Sequence, residues 1–363
     1  MQEDDLDPKF DFDKFNIGKD DFHTESEKQL KQANEAKESK GLFIVKTASR
    51  WIEQAKTRPI PKMLFGEFWF EGELCILFAD TNLGKSILAV QIGNSISKGE
   101  QIHGFKLETT KQPILYFDFE LTDKQFEGRY CKKNGIKNTY EQHYEWDCNF
   151  IRSEINPDAA IVENLSFEDY LNHSLERCII ETGAKILIID NLTYLKNETE
   201  RAKDALPLMK HLKALKSKYG LSILAIAHTP KRDLSKPITR NDLQGSKMLI
   251  NFCDSSFAIG ESHVDKNLRY LKQVKQRNTE QIYDAENVCI CQIDKPLNFV
   301  MFEFMNFGKE WEHLKQQTEK DKESLNEKVS ELKKQGLSLR EIGAELGISH
   351  MKVSRISKDC NTL

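Results

Sequence analysis

Short, mainly apolar runs alternate with longer amphipathic stretches between positions 41 and 245 of the chain. The apolar runs LCILFAD, PILYFDFE, KILIIDN and SILAIAHT have a β-branched character that is typical of strands buried on both faces. Amphipathic segments separate these runs, and the first of them, SILAVQIGNSISKG, ends at a glycine, Gly99, as helices commonly do. This alternation predicts an α/β fold with a mainly parallel central sheet and right-handed crossovers.

The same pattern assigns the remaining elements of the core. Helices are predicted over LTDKQFEGRYCKKNG, SFEDYLNHSLERCIIETG and KDALPLMKHLKALKSKYG, with a further strand near Asn149–Ile151. Beyond Gly245 the runs DSSFAIG, RYLKQVKQR, NVCICQI and NFVMFEF follow one another without intervening helices. They therefore predict antiparallel strands that extend the sheet.

Changes of composition divide the chain into four segments. Residues 1–40 are acidic and poor in periodic apolar positions, which predicts a disordered or loosely attached arm. The core spans 41–307, the polar stretch 308–324 predicts a linker or an exposed helix, and 325–363 form a small separate module. A chain of 363 residues fits this division, because a single core rarely exceeds roughly 250 residues.

Composition and charge limit the possible locations and ligands. Hydrophobic residues make up 39% of the chain, and no apolar run approaches the roughly 20 residues of a membrane span. The N-terminus lacks the features of a secretion signal, so we expect a cytoplasmic protein without a membrane partner and with reduced cysteines. The closest cysteines, Cys289 and Cys291, do not have the C-x-x-C spacing of a zinc site.

The segment ADTNLGKS lies between a predicted buried strand and an amphipathic helix, which is the context of a P-loop. In such a loop backbone N–H groups surround phosphate, Lys85 can neutralise the β and γ oxygens, and the Ser86 hydroxyl can bind Mg²⁺. Ala79 replaces the glycine that usually begins this pattern, and its methyl group is tolerated if its φ is negative. The expected ligand is therefore ATP with Mg²⁺. The expected nucleotide-binding residues of the loop are Ala79, Asp80, Thr81, Asn82, Leu83, Gly84, Lys85 and Ser86.

Two further strand ends carry carboxylates. Asp190 ends KILIIDN, at the edge where open α/β sheets bind ligands, and it suits the Mg²⁺-holding Walker B position. The alternative is an aspartate that caps the next turn. Glu120 follows PILYFDF and is the expected base for the attacking water. Asp118 competes for this role because residues two apart share a strand face, but a group deeper in the sheet is harder for water to reach.

The order of these motifs resembles that of the RecA/DnaB-like P-loop ATPases, and within them the RepA-type plasmid replicative helicases and related AAA-family proteins of mobile elements. The resemblance implies a RecA-like core and a catalytic role for Glu120. It extends over residues 45–305. Its markers are, in the family's order, PIPKMLFGEFWFEGELCILFADTNLGKS, YFDFELTDKQFEGR, IIDNLTYL, AIAHTPKRD, LQGSKML and LKQVKQRN.

The resemblance also implies roles for three basic residues. His228 would sense the γ-phosphate and report it to the loop Thr229–Gln244, the alternative being a histidine bonded to backbone. Lys275 and Arg277 would reach the nucleotide of a neighbouring subunit as arginine fingers do, the alternative being a solvated basic edge that blocks strand addition. Fingers from a neighbour require a head-to-tail homo-oligomer, for which a hexameric ring is the first expectation.

The C-terminal module resembles a helix-turn-helix of the resolvase or sigma-like kind. Ser338 and Ser349 are expected to cap its two helices, with Gly347 at the turn between them. A helical pair that only mediates subunit contacts is the alternative. The net charge of −4 does not itself indicate a nucleic-acid binder, but local basic stretches suit phosphate. The residues expected to contact DNA are Lys231, Arg232, Lys236, Arg240, Lys352 and Arg355.

Together these features predict an ATPase that acts on plasmid or mobile-element DNA as a ring comparable to a replicative helicase. A rival hypothesis is a non-translocating, ATP-switched DNA-binding regulator of transposition, transcription or phage defence. A nucleotide-binding scaffold without turnover is disfavoured, because Lys85, Glu120 and Asp190 are all present.

Overall fold

Nine strands form one sheet in the computed structural model, which describes residues 43–137, 139–159, 167–192, 205–230, 232–243, 246–316, 319–346, 348 and 350–359. The strands in chain order are β1 (Met63–Phe65), β2 (Trp69–Phe70), β3 (Leu74–Ala79), β4 (Ile114–Asp118), β5 (Lys132–Asn134), β6 (Thr139–Glu141), β7 (Phe150–Ser153), β8 (Ile186–Asp190), β9 (Ser222–His228), β10 (Ser255–Glu261), β11 (Leu268–Lys275), β12 (Val288–Asp294) and β13 (Met301–Gly308). The order across the large sheet is β13-β12-β11-β10-β3-β9-β8-β4-β7. Two small antiparallel pairs, β1 with β2 and β5 with β6, lie outside it.

Helices connect most of the parallel strands. They are α1 (Ala48–Lys56), α2 (Lys85–Lys98), α3 (Asp123–Arg129), α4 (Phe167–Thr182), α5 (Ala205–Tyr219), α6 (Ser246–Phe252), α7 (Glu310–His313), α8 (Glu319–Lys334), α9 (Leu339–Leu346) and α10 (His350–Asp359). As predicted, α2 ends at Gly99, whose φ of 71° lies in the left-handed region that glycine adopts without strain.

The strand β3 is buried along its whole length because its side chains alternate between two cores. Leu74, Ile76 and Phe78 lie in the core that includes residues of α4 and α5, whereas Cys75 and Leu77 lie in the core that includes residues of α2. A sheet that is covered on both faces requires apolar residues at every position of its central strands. This accounts for the uninterrupted apolar run in the sequence.

The sheet confirms the predicted fold class, with one difference in strand direction. The strands β3, β9, β8, β4 and β7 are parallel, and β11, β12 and β13 continue the sheet in antiparallel fashion. The run DSSFAIG forms β10, which is antiparallel to β11 but parallel to β3, with Ser255 opposite Cys75. The physical reason is α6, which lies between β9 and β10 and allows the chain to cross over to the edge at which β9 began.

The predicted helix LTDKQFEGRYCKKNG is wrong in its second half. The helix α3 begins with a capping box between Thr122 and Gln125 and ends at Arg129. Tyr130 is 2% exposed and packs edge-on against Trp146, with ring centroids 4.9 Å apart. Burial of this ring fixes the chain direction after the helix, and CKKNG enters the hairpin of β5 and β6 instead. Tertiary packing therefore overrides the local helical pattern here.

The polar stretch after β13 is more than a linker. Glu310 of α7 is fully buried, forms an ion pair with Lys272 of β11, and accepts the N–H of Ile238 at 2.6 Å. Lys272 also donates to the carbonyl of Ile238 at 2.8 Å. This segment therefore fastens the loop that follows β9 to the antiparallel part of the sheet.

The C-terminal helices have a small core of their own. Val329, Ile342 and Val353 contribute to it from α8, α9 and α10, so the two predicted helices are present together with a third. Ser338 caps α9 as predicted, because its Oγ accepts the N–H of Glu341 at 3.3 Å while the Glu341 carboxylate accepts the N–H of Ser338 at 2.8 Å. The helix α8 begins at residue 319, ahead of the expected module boundary at 325. Gly347 and Ser349 lie outside the described residues.

Two units divide the chain, Met1–Ile60 and Pro61–Leu363, whereas the sequence predicted a core that begins at residue 41. In the first unit α1 is capped by Thr47, whose side chain accepts the N–H of Arg50, and none of its residues is buried. The predicted arm 1–40 lies outside the described residues. Within the described ranges, the helices lack the combination of length and apolar character that a membrane crossing needs.

Candidate functional site

The C-terminal ends of four parallel strands lie side by side at one edge of the sheet. Ala79 at the end of β3 is opposite His228 at the end of β9, and Asp118 at the end of β4 is opposite Asp190 at the end of β8. Groups that follow parallel strands meet at this edge. The expected phosphate loop and the expected acidic residues therefore share one region of the surface.

The loop after β3 turns sharply into α2. Asn82 has a φ of 64° and Gly84 a φ of 92°, both in the left-handed region. Gly84 directly precedes α2, so the free N–H groups of the helix N-terminus open beside the end of β3. Ala79 is not among the described non-glycine residues with a positive φ, and its methyl group is accommodated where the sequence pattern has glycine.

Lys85, the first residue of α2, is held inside this loop. Its Nζ donates to the carbonyl oxygens of Ala79 at 3.1 Å and of Asp80 at 2.9 Å. Burial lowers the pKa of Lys85, and the neighbouring carboxylates of Glu120 and Asp190 oppose that shift. The ammonium group therefore lies within electrostatic reach of both expected acidic residues.

Asp190 is enclosed by hydrogen-bond donors at the end of β8. It is 1% exposed, and the hydroxyl of Tyr116 donates to its Oδ2 at 2.7 Å. A second hydrogen bond joins it to the side chain of Ser86. Burial raises the pKa of Asp190 to about 6, although both hydrogen bonds act in the opposite direction. A positive ion beside this carboxylate would offset the cost of burying its charge.

The groups at this position fit a magnesium ion. Ser86 and Asp190 offer a hydroxyl and a carboxylate in hydrogen-bonding contact with each other. Mg²⁺ prefers oxygen ligands and usually takes one or two from the protein, completing its shell with water and phosphate oxygens. The donor set is therefore of the kind that holds Mg²⁺ together with a nucleotide.

Glu120, His228 and Asn191 form a polar cluster beside Asp190. The Oε1 of Glu120 lies 3.6 Å from Nε2 of His228, and the Glu120 side chain is 41% exposed. The Nδ2 of Asn191 donates to the same Oε1 and lies 3.2 Å from the same Nε2. The contact with His228 is the strongest influence on the pKa of Glu120, which is lowered although burial acts to raise it. Glu120 is therefore an ionised carboxylate with access to water.

Asp118 has a different environment from Glu120. It is 2% exposed, its Oδ2 accepts the Nε of Arg152 at 3.0 Å, and its Oδ1 accepts the backbone N–H groups of Glu120 and Leu121. Its oxygens are therefore committed to a buried ion pair and to the turn that carries Glu120. The geometry favours Glu120 over Asp118 as the group that faces water.

The two expected finger residues lie at the opposite edge of the sheet. Lys275 ends β11 and pairs with Ser256 near the start of β10. Asp254, which Arg277 contacts, is bonded to Leu74 at the start of β3, five residues before Ala79, so about 16 Å of strand separates this edge from the phosphate loop, at roughly 3.3 Å per residue. A lysine or arginine side chain cannot span that distance, so neither residue serves the loop of its own chain.

Lys275 and Arg277 both attach to the turn between α6 and β10. The Nζ of Lys275 donates to the carbonyls of Ile250 and Cys253, and burial lowers the pKa of Lys275. The Nη1 of Arg277 lies 3.2 Å from Oδ1 of Asp254, and half of the Arg277 side chain is exposed. Arg277 follows β11 instead of lying in it, yet the two side chains meet the same turn.

The basic stretch after His228 is only partly open to solvent. Lys231 lies outside the described residues. The Arg232 side chain is 9% exposed, has a hydrogen bond to Tyr270, and lies 4.0 Å from Asp242. This environment does not favour a DNA contact for Arg232, because its charge is buried and already paired.

The other two residues of this stretch are exposed. Lys236 is 60% exposed and lies 3.4 Å from Asp233. Arg240 is exposed, and its Nε donates to the carbonyl of Val274 at 3.3 Å. Both present positive charge at the surface of this loop.

The second helix of the C-terminal pair carries the remaining expected DNA contacts. Arg355 is exposed on α10, whereas Lys352 is half-buried. Val353 and Ile356 face the small core of the module. Arg355 is therefore better placed than Lys352 to meet a partner.

Three residues of the site were not identified from sequence. Asn191 directly follows Asp190 and could have been found, because polar residues after a buried strand face the ligand edge. Tyr116 and Arg152 act through Asp190 and Asp118, and their roles depend on contacts between strands that no local pattern reveals.

A known family model matches the part of the chain that contains the phosphate loop. The AAA_25 family model, described as an AAA domain, matches residues 44–233, just over half of the chain, and this range contains Glu120, Asp190 and His228. A crystal structure of a KaiC-like protein from hyperthermophilic archaea, Pyrococcus horikoshii OT3, is similar at 16% sequence identity with a TM-score of 0.43, covering 64% of this chain and 91% of that chain. The curated protein sequences gave no significant match.

Proposed function

The chain belongs to the AAA_25 family of AAA domains, and we propose that it is an ATPase that hydrolyses Mg²⁺-ATP. Hydrolysis is coupled to binding of DNA or movement along it. The working form is a head-to-tail ring comparable to a plasmid or mobile-element replicative helicase. One observation carries this proposal. Lys85, Asp190, Glu120 and His228 meet at the C-terminal edge of four parallel strands, where α/β sheets bind ligands.

The loop after β3 supplies what a triphosphate requires. The open N-terminus of α2 offers backbone N–H donors, and Lys85 offers a positive charge to the β and γ oxygens. In the described conformation the Nζ of Lys85 is bonded to two carbonyls of the loop. Binding of ATP would exchange these neutral partners for charged phosphate oxygens, which form stronger hydrogen bonds with an ammonium group.

Glu120 is the proposed base. A water molecule attacks the γ-phosphorus, Glu120 takes a proton from that water, and the bond from the γ-phosphorus to the β–γ bridging oxygen breaks to release ADP and phosphate. Asn191 and His228 hold the carboxylate in place through Oε1. A nearby histidine can also donate to the γ-phosphate, which would tie its position to the state of the nucleotide.

Ser86 and Asp190 are the residues that would hold Mg²⁺. When bound, this ion neutralises charge on the phosphate oxygens during transfer. The contribution of the chain is to keep Asp190 ionised and oriented through Tyr116 and Ser86, even though burial raises the pKa of Asp190.

Lys275 and Arg277 lie at the sheet edge opposite the phosphate loop, and this location favours an assembly of several subunits. Arg277 is half exposed, and its contact with Asp254 beside Leu74 places it about 16 Å along β3 from the loop of its own chain, too far to act there. A neighbouring copy stacked head to tail would bring its phosphate loop to this edge. Each interface would then combine the loop of one subunit with Lys275 and Arg277 of the next.

DNA is the proposed partner of two surfaces. Lys236 and Arg240 are exposed on the loop that follows His228, and Arg355 is exposed on α10. This loop directly follows His228 in the chain, so a movement of His228 on a change at the γ-phosphate can shift the loop. The helical module would add a second contact, for example to bring the ring to its site on DNA.

The test of the proposal is ATP turnover by the purified full chain, with and without single-stranded DNA, together with particle imaging in a non-hydrolysable ATP analogue. Wild-type protein should form rings and hydrolyse ATP, and Lys85→Ala should lose tight ATP binding. Unchanged ATP affinity in Lys85→Ala, or full turnover by a monomer, would contradict the proposal. Separation of duplex strands distinguishes a translocating motor from an ATP-switched regulator.

A further inference from the structure

A carboxylate, Asp254, organises the basic residues at the sheet edge opposite the phosphate loop. Its Oδ1 lies 3.2 Å from Nη1 of Arg277, and its Oδ2 lies 2.7 Å from Nζ of Lys216. The Asp254 side chain is 15% exposed, whereas that of Arg277 is 50% exposed. The partly buried carboxylate of Asp254 therefore holds the half-exposed guanidinium group of Arg277.

Asp254 is itself fixed by the sheet. Its Oδ2 accepts the N–H of Leu74 at 2.9 Å, and its own N–H donates to the Leu74 carbonyl at 2.8 Å. Burial acts to raise the pKa of Asp254, but the bonds from Leu74 and Lys216 outweigh it and the pKa is lowered. The carboxylate therefore stays charged and in one place at the start of β10.

The turn that contains Asp254 also receives the other basic side chain. Lys275 donates to the carbonyls of Ile250 and Cys253, and Nη2 of Arg277 lies 3.4 Å from the carbonyl oxygen of Asn251. Arg277 is thus held at two of its nitrogens, which limits the rotation of its guanidinium group.

We propose that Asp254 is the positioning residue of the finger, holding Arg277 in the orientation in which its exposed face meets the terminal phosphate of ATP bound by a second copy of this chain. The inference rests on the proposed function, because it requires a neighbour's nucleotide at this edge. A guanidinium has five N–H donors, so the bonds to Asp254 and Asn251 leave donors for phosphate. Lys216 also pairs with Asp254, so this single carboxylate does not offset the whole positive charge of the two basic side chains.

If Asp254 instead restrained Arg277, its removal would change turnover in the opposite direction. A carboxylate that competed with phosphate for Arg277 would restrain the finger, and its removal would raise turnover. A positioning carboxylate predicts a fall instead. Loss of the anchor should lower turnover by roughly 10²-fold, the effect of misplacing a catalytic group by about 1 Å, while ATP affinity stays near wild type.

The experiment compares mixtures of inactive full-length variants whose subunits exchange. Asp254→Asn keeps the size of the side chain and an acceptor for the Leu74 N–H but removes the charge that faces Arg277. Mixed with Glu120→Gln, it should recover turnover, because some interfaces pair an intact base with an intact finger. Mixed with Arg277→Ala, it should show no recovery above either parent, since both changes affect the same side of the interface.

Each other outcome overturns the inference. Full or raised turnover by Asp254→Asn alone shows that Asp254 does not position Arg277. Recovery with neither partner shows general damage to the subunit, and recovery with Arg277→Ala places the two residues on different sides. The mixture of Glu120→Gln with Arg277→Ala tests the shared site itself. If that mixture stays inactive although subunits exchange, the proposed function fails at this point as well.

Two further variants control for charge and folding. Asp265→Asn makes the same chemical change at an exposed position beyond β10 and should leave turnover unchanged. Only variants with wild-type ATP affinity enter the comparison. Asp254→Glu keeps the charge but displaces the oxygens by one methylene, and it provides the mixing test if Asp254→Asn does not fold. Wild-type turnover by a folded Asp254→Glu oligomer would contradict a role that depends on position.

Discussion

The Nε of Arg152 lies 3.0 Å from Oδ2 of Asp118, and this contact distinguishes Asp118, the last residue of β4, from Glu120, two residues beyond it. Asp118 is buried in that ion pair, whereas Glu120 is 41% exposed, is hydrogen-bonded to Asn191 and lies 3.6 Å from His228. Two acidic residues of similar chemistry, two positions apart, therefore differ in solvent access and in partners.

Exchange of the two carboxylates for amides should give different results. Glu120→Gln should retain ATP and lower turnover by roughly 10²- to 10⁴-fold, the usual effect of removing a general base. Asp118→Asn should chiefly lower the unfolding temperature, because it leaves the charge of Arg152 with a weaker partner. Turnover and thermal unfolding of both variants are the measurements. Near-normal turnover in Glu120→Gln with a severe defect in Asp118→Asn would reverse the assignment of the base.

Tyr116→Phe should change the magnesium requirement of the enzyme. Loss of the hydroxyl removes a donor from Asp190, so the pKa of Asp190 rises further above about 6 and protons compete more strongly with Mg²⁺. The Mg²⁺ concentration for half-maximal turnover should rise by roughly 10- to 100-fold, the usual effect of losing such a partner, and more at pH 6 than at pH 8. Tyr219→Phe, which removes a hydroxyl bonded to Glu176, is the matched control. An equal effect in both variants would exclude a specific role for Tyr116.

Arg355→Ala should weaken DNA binding without changing turnover in the absence of DNA. The residue is exposed on α10, whose buried side belongs to the small core of the C-terminal helices. A single phosphate or base contact contributes roughly 1–3 kcal/mol, so affinity at fixed salt should fall by about 5- to 100-fold. Met351→Ala on the same helix, 70% exposed and uncharged, should bind DNA as wild type does. Loss of both DNA binding and turnover in Arg355→Ala would instead indicate a role in assembly.

Lys272→Met should destabilise the protein severely. It removes the partner of Glu310, a carboxylate with no solvent exposure, and an uncompensated buried charge costs roughly 3–5 kcal/mol. Lys236→Met removes an exposed ion pair with Asp233, which should cost less than about 1 kcal/mol. Denaturant unfolding of the two variants measures the difference. Comparable losses would show that the pair of Lys272 with Glu310 is not the anchor of the loop after β9.

Local sequence patterns are sufficient to predict a strand where burial is uniform along it. The runs that form β3, β8 and β9 are apolar between their ends because both faces of the sheet are covered, and their C-terminal ends place the phosphate loop, Asp190 and His228 at one edge. Strand ends are visible in a sequence, so this part of the site was predicted.

Long-range contacts explain what the sequence did not predict. The segment CKKNG has no feature that reports the packing of Tyr130 against Trp146, which ends α3. The direction of β10 depends on α6, a helix of seven residues with too few turns to show a clear period. The burial of Arg232 depends on Tyr270 and Asp242, residues that a charge pattern cannot relate to it.

The separation of Glu120 and Arg277 on opposite sheet edges sets a rule for the number of working sites. In a head-to-tail row, the subunit at one end has a loop that no finger reaches, and the subunit at the other end has a finger without a loop to serve. A short open row therefore leaves a large share of its sites incomplete, and a long row leaves only a small share incomplete. Closure into a ring removes both ends, so turnover per subunit should rise with row length and reach its ceiling when the circle closes.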